Sequence, residues 1–160
     1  MTDLAPSLRP ATAGDEPFLR AVLAAAREPG FVAAGLPVET ARVLALQQAD
    51  VERRARRHSN PEAEDLVILD GSRPVGRLLL ERSAAGDRVV DLALLPAERG
   101  RGLGTRLLVS LAGAAHAEGR SLGLSVGHDN RRALALYERL GFVPVGATET
   151  HLQLRLSPPG

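Results

Sequence analysis

Phe18, Leu19, Val22 and Leu23 recur three and four residues apart behind Thr12-Ala13-Gly14-Asp15, which reads as a helix N-cap with an acidic third residue. The pattern predicts a first helix over residues 14–27, with chain breaks at Pro29-Gly30 and at Gly35-Leu36-Pro37. Val38, Ala41, Ala45, Leu46 and Ala49 then share one side of a second helix. It ends in Arg53-Arg54-Ala55-Arg56-Arg57-His58, read as a solvated C-terminus that complements the helix dipole; a patch for an acidic partner is the other reading. From Asp65 the period changes. Residues 66–69 and 74–81 alternate like strands around the turn Asp70-Gly71-Ser72-Arg73, and Ala84-Ala85-Gly86-Asp87 leads into a third strand over 89–95, which makes a meander. Leu103, Leu107, Leu108, Leu111, Ala112 and Ala115 give a helical stripe that stops at Glu118-Gly119. A short strand over 122–126, a helix over 131–140 stopped by Gly141, strands over 143–145 and 151–156, and a tail over 157–160 complete the chain.

This order of elements predicts an α/β (α+β) fold with a mainly antiparallel sheet, not repeated βαβ units. At 160 residues the chain is expected to form one domain, 1–160, large enough for a real core. No apolar run approaches a membrane span, and residues 1–10, with Asp3, do not read as a secretory signal, so a cytoplasmic protein with no membrane partner is expected. The absence of cysteine excludes disulfides, thiolate metal sites and a cysteinyl intermediate. All 20 basic residues are arginine, which excludes a phosphate-binding lysine and Schiff-base chemistry; the Ala/Arg/Leu/Gly-rich bias fits a GC-rich bacterial genome. A net charge of +1 calls for no nucleic acid. His58, His116, His128 and His151 are scattered without ligand spacing, so no metal is expected.

Chemistry concentrates at Arg99-Gly100-Arg101-Gly102-Leu103-Gly104-Thr105, between the 89–95 strand and the following helix. Glycines let the backbone turn and point successive N–H groups outward, and the first helical turn adds unpaired donors at the positive end of the dipole. A phosphate or pyrophosphate fits such a place. A dinucleotide-binding domain fits poorly, because Thr105 stands where the third glycine of Gly-x-Gly-x-x-Gly belongs and the preceding strand comes from a meander.

Further along, Asn130-Arg131-Arg132-Ala133-Leu134-Ala135-Leu136-Tyr137-Glu138-Arg139-Leu140-Gly141-Phe142 follows in the order and spacing that resembles the GCN5-related N-acetyltransferase (GNAT) superfamily. Leu8-Arg9-Pro10-Ala11-Thr12 through Asp15, and Leu92-Ala93-Leu94-Leu95-Pro96, are similar to it as well. The resemblance implies a mixed sheet with a splayed strand pair, about four flanking helices, and acetyl-CoA as cosubstrate. It implies that main-chain groups of Leu92 and Leu94 hold the pantetheine arm and acetyl carbonyl. Arg99, Gly100, Arg101, Gly102, Leu103, Gly104 and Thr105 would take the pyrophosphate, Asn130 would contact the pantetheine, and Tyr137 would be the general acid for the leaving thiolate. Physical chemistry supports these roles: a strand N–H is a preorganised donor for a tetrahedral oxyanion, here Leu92 N–H, and a phenol suits a thiolate leaving a partly dry site. Arg106, Arg131 and Arg132 are further phosphate candidates.

The general base is less defined. The positions where related proteins carry a carboxylate are Arg88 and Ser125 here, leaving Asp91, Glu81, His128 or a water relay. Strand alternation sets Asp91 on the face opposite Leu92 and Leu94. The acceptor, a small-molecule amine or a protein N-terminus or side chain, would meet residues 28–38 and 144–150. A homodimer is compatible with the resemblance. The alternative to an enzyme is a non-catalytic acyl-CoA-binding regulatory domain of the same fold.

Overall fold

The computed structural model describes residues 4–160; Asp3, weighed above against a secretory signal, lies outside the described residues. In chain order the elements are β1 (Ser7–Pro10), α1 (Glu16–Ala33), α2 (Val38–Ser59), β2 (Glu64–Asp70), β3 (Arg73–Ser83), β4 (Gly86–Leu94), α3 (Leu103–Ala117), β5 (Leu122–Gly127), α4 (Arg131–Arg139), β6 (Val143–Ala147) and β7 (His151–Leu156). The strands form one sheet in the order β1-β2-β3-β4-β5-β7-β6, antiparallel throughout except for β4 beside β5. This is the mixed, mostly antiparallel sheet with four helices that the sequence predicts.

Alternation sorts the sheet's two faces. Leu66, Ile68, Leu78, Leu80, Leu122, Leu124, Val126 and Leu154 lie on one face and pack with Leu103, Leu107, Leu108 and Leu111 of α3 into the main core. The other face is covered by α1, whose Leu19 and Val22 are fully buried and which touches β3 and β4. Helices α1 and α2 pack together through Leu23, Ala24, Ala45 and Ala49. None of the described helices is long and apolar enough to cross a membrane.

Three elements differ from the sequence reading. First, α1 runs through Pro29-Gly30 to Ala33. Proline removes one helical N–H, a local cost that packing of Phe31 against the α1–α2 cluster offsets. The true stop is Gly35, at φ +94°, where Gly35 N–H donates to Val32 O and Leu36 N–H to Phe31 O. Second, the basic run of α2 is not all solvated. Ala41, Ala45, Ala49 and Arg53 form one buried stripe at four-residue spacing, and Arg53 is 4% exposed. Its Nη2 donates to Glu16 at 2.7 Å and lies 3.6 Å from Asp65, tying α2 to α1 and β2. Third, β1 is not foreseen by the sequence pattern, because Ser7-Leu8-Arg9-Pro10 carries no alternation of its own and takes its form from pairing with β2.

Candidate active site

Leu78 pairs with Leu92 and Leu80 with Val89, so Val90 and Asp91 together face the single residue Leu79. This β-bulge keeps Val89, Leu92 and Leu94 on the core face, where all three join the cluster against α3. It leaves Asp91 on the opposite face, as alternation predicts. The phase of the main chain follows from Leu95 N–H, which donates to Val75 O at 2.9 Å. Counting back, Ala93 N–H points at β3, while the N–H groups of Leu92 and Leu94 point the other way. On that side β5 pairs with β4 only at Asp87, Arg88 and Val89. Beyond Val89 the two strands part, and the Leu92 and Leu94 donors face an opening.

At the head of α3, Gly100 and Gly102 sit at φ +76° and +79°, conformations that side chains rarely adopt. The helix begins with no side-chain cap, and the first bond of its turn runs from Arg106 N–H to Gly102 O. The N–H groups of Leu103, Gly104 and Thr105 therefore find no acceptor among the described residues, at the positive end of a 15-residue helix. Gly104 is helical, and a Cβ there would meet only Leu94 Cδ1 at 3.9 Å. The fold leaves room for a side chain that the sequence omits.

A cleft of about 570 Å³ opens in front of these donors, walled by Leu92, Leu94, Arg99, Gly100, Gly102, Leu103, Gly104, Thr105, Asn130 and Tyr137. Of the proposed cofactor residues, Arg101 stands apart from this wall: its guanidinium turns to buried Glu98 at 2.8 Å and to Asp70 at 3.2 Å. Arg132 and Arg139 line the cleft. Arg106 instead donates to Arg101 O and Leu4 O. Arg139 is missed by the sequence reading, although it follows Arg132 at a helical spacing of seven.

Helix α4 supplies the two remaining groups. Asn130 caps it, its Oδ1 accepting from Ala133 N–H at 3.2 Å, which leaves the amide nitrogen free for a second partner. The helix stops at Gly141, φ +100°, with Gly141 N–H on Glu138 O and Phe142 N–H on Tyr137 O. That cap brings Phe142 edge-on to Tyr137, ring centroids 5.8 Å apart. The Tyr137 ring is thus held by packing, as an aromatic on this helix face would be. Burial pushes its phenol pKa above the ordinary value, so the proton stays on the oxygen.

A second cavity, about 560 Å³, lies beyond the same opening. Leu92, Leu108, Asn130 and Tyr137 line both spaces. Much of the rest of its wall comes from α1, α2 and the sheet face they cover, including Arg27, Arg56, Arg88, Asp91, Ser125, His151 and Gln153, with Thr148 from the turn before β7. The expected acceptor segment 28–38 contributes nothing to it, and the 144–150 turn contributes Thr148. Among the base candidates, Asp91 reaches the wall but is bound to buried Arg77 at 3.0 Å. Glu81 lies outside the wall, 3.3 Å from Arg88. His128 lines a separate hollow with Asp129 and Glu149, where its Nε2–H donates to Thr148 O at 2.8 Å. His151, not weighed as a base from sequence, is in the wall with Nδ1 2.8 Å from Thr150 Oγ1. Its signal was the alternation of β7, where Leu152, Leu154 and Leu156 pack on the core and His151, Gln153 and Arg155 take the other face.

A sheet that splits beside a bulged strand, with a glycine turn and bare helix N-terminus at the mouth of the split, defines the class of the molecule. The chain belongs to the acetyltransferase (GNAT) family, whose model matches residues 36–142. Solved structures agree on the fold. An acetyltransferase from Thermus thermophilus is 23% identical, with 98% of this chain and 99% of that one covered and a TM-score of 0.66. The PaiA N-acetyltransferase of Thermoplasma acidophilum, in complex with coenzyme A, is 18% identical over 96% and 99% of the two chains, with a TM-score of 0.64. The ribosomal-protein-S18-alanine N-acetyltransferase of Escherichia coli is 17% identical over 95% and 93%, with a TM-score of 0.62. No curated protein matches this chain in sequence.

Proposed function

We propose that the protein is an acetyl-CoA-dependent N-acetyltransferase that passes the acetyl group directly to an amine. The observation that carries this reading is the shared wall: Leu92, Leu108, Asn130 and Tyr137 border both the cleft at the glycine turn and the polar cavity behind it. Donor and acceptor entering from opposite sides would meet there. The cleft suits coenzyme A, since free N–H groups at the α3 N-terminus match a pyrophosphate and the unpaired edge of β4 matches an extended, amide-bearing arm. Acetyl-CoA supplies the acyl group as a thioester.

The chemistry then falls to few groups. The amine nitrogen bonds to the thioester carbon, the Leu92 N–H stabilises the oxyanion that forms, and the C–S bond breaks as the intermediate collapses. Tyr137 gives its proton to the departing sulfur; a phenol kept neutral by burial is a suitable donor. The amine proton leaves through water in the polar cavity, where the His151 imidazole stands in the wall. A chain without cysteine forms no cysteinyl intermediate, in keeping with direct transfer.

Tyr137→Phe tests this mechanism. It should lower kcat by about 10²-fold, the scale of a lost general acid, while coenzyme A affinity by calorimetry stays the same. An unchanged kcat on an amine that is turned over removes Tyr137 from the mechanism. Tight coenzyme binding with no turnover of any amine points instead to the regulatory domain, a reading favoured by Arg88 and Ser125 standing in place of a carboxylate. Absence of coenzyme A binding overturns the proposal.

A further inference from the structure

Three arginines border the polar cavity from three different elements: Arg27 from α1, Arg56 from α2 and Arg88 from β4. One carboxylate, Asp91, lines it against them, and Arg77 already holds that carboxylate through a hydrogen bond of 3.0 Å. Two of the arginines are braced. Arg27 Nε donates to Glu52 at 2.9 Å, and Arg88 Nη2 donates to Asn60, the residue that caps α2, at 2.8 Å, and to Glu81 at 3.3 Å. Neither Glu52 nor Glu81 is part of the cavity wall. Arg56 lies one helical turn before Asn60 and has no ion pair among the described residues. The wall thus offers a free guanidinium beside a braced one.

We infer that the acceptor is a small primary amine bearing its own oxyanion, a carboxylate or a phosphate, which Arg56 and Arg88 receive while the amine reaches the Leu92 and Tyr137 end of the cavity. This rests on the acetyltransferase reading and adds the substrate class to it. A guanidinium presents paired N–H donors that match a carboxylate or phosphate in the plane. A polycationic amine would carry like charge toward three arginines with no free carboxylate to receive it. The cavity, at about 560 Å³, accommodates a ligand of metabolite size. Its polar wall suits a hydrophilic acceptor more than an aromatic or alkyl amine.

The test sets aspartate, phosphoethanolamine, spermidine and an alanine-initiated peptide beside one another, with thiol release from acetyl-CoA as readout and Arg56→Glu as the variant. Exposed Arg56 makes no packing contact in the core, so the variant should fold. The expected result is a kcat/KM for aspartate or phosphoethanolamine at least about tenfold above spermidine, with preference between the two identifying the oxyanion. In Arg56→Glu the KM for the favoured amine should rise by about tenfold or more and coenzyme A affinity should not change. Preference for spermidine or the peptide, or an unaltered KM in Arg56→Glu, overturns the inference. Calorimetry with aspartate and phosphoethanolamine separates this from the parent reading when no amine is turned over. Binding of either that Arg56→Glu abolishes then supports the anion site although the transferase reading falls, and no binding of either to the wild type overturns the inference.

Discussion

The two cavities that meet at Leu92 and Tyr137 are built by opposite means. The outer cleft is made largely of backbone: strand N–H groups left without a partner strand, glycines at positive φ, and the bare first turn of α3. The inner cavity is made of side chains, Arg27, Arg56, Arg88, Ser125, His151 and Gln153, brought together from five elements. Main-chain donors recognise what every ligand of a class has in common, which on the proposed reading is phosphate and amide. Side chains can change one by one without disturbing the sheet, and on the same reading they would carry the choice of acceptor.

The largest effect should come from filling the backbone cleft. Gly104→Val places a side chain where a Cβ meets nothing closer than 3.9 Å, so the helix tolerates it, but directly among the free N–H groups. Coenzyme A affinity should fall by about 10²-fold or more, and the melting temperature without ligand should move by only a few degrees, as expected of a substitution that costs no packing. Calorimetry and thermal unfolding measure the two. Retained affinity would show that the backbone of this turn does not define the donor side. Gly102→Val is a poorer probe, because its φ of +79° strains any side chain and mixes folding with binding.

The same division explains what could be read from the sequence. The cleft is local: the 89–95 strand, residues 99–105 and residues 130–142 each carry their signal in a few adjacent positions. Glycines before a helical stripe have a physical meaning at first sight, and so does an asparagine before a helix. The inner cavity has no such grammar. Arg56 sits in a basic run whose obvious reading is a helix end, and only the fold shows that it faces a cavity, while Arg53 of the same run is buried. The four-residue series Ala41, Ala45, Ala49 continues to Arg53, so that burial was legible in the spacing; the residue type hid it. Pro29, through which α1 continues, is a related case. Its local penalty was visible, whereas the packing of Phe31 that outweighs it depends on α2.

A mid-sized effect belongs to the wall that the two cavities share. Gly141 ends α4 at φ +100°, and a Cβ on it would lie 3.2 Å from Leu156 Cδ1. Gly141→Ala should destabilise the fold by about 1–2 kcal/mol through the left-handed backbone. Because this cap sets Phe142 against Tyr137, kcat should drop more than coenzyme A affinity does. Equal losses in both would mean that the α4 cap supports the two cavities alike and that Tyr137 is not specially dependent on it.

The smallest effect concerns the helix pair that supplies the inner cavity. Arg9 holds Asp15 through two bonds of 2.8 and 2.9 Å, and Thr12 N–H donates to the same carboxylate at 2.7 Å, fastening the start of α1 to β1. The Arg9 hydrogen bonds, followed by that of Thr12, keep the Asp15 carboxyl well below the usual carboxylate range. A pKa lower in the folded than in the unfolded chain contributes stability that is fully present above the unfolded value, about 4, and is lost as pH falls toward the folded value. Asp15→Asn should therefore lower the melting temperature by a constant amount above about pH 5, and the gap to wild type should narrow below about pH 4. Differential scanning at about pH 3, 4, 5 and 7 measures it. Arg27 of the same helix lines the inner cavity and no residue of α1 lines the outer cleft, so any effect on binding should fall on the variant's KM for the amine rather than on its coenzyme A affinity. A gap that widens in acid would mean that Asp15 is not the group whose ionisation holds α1 against β1.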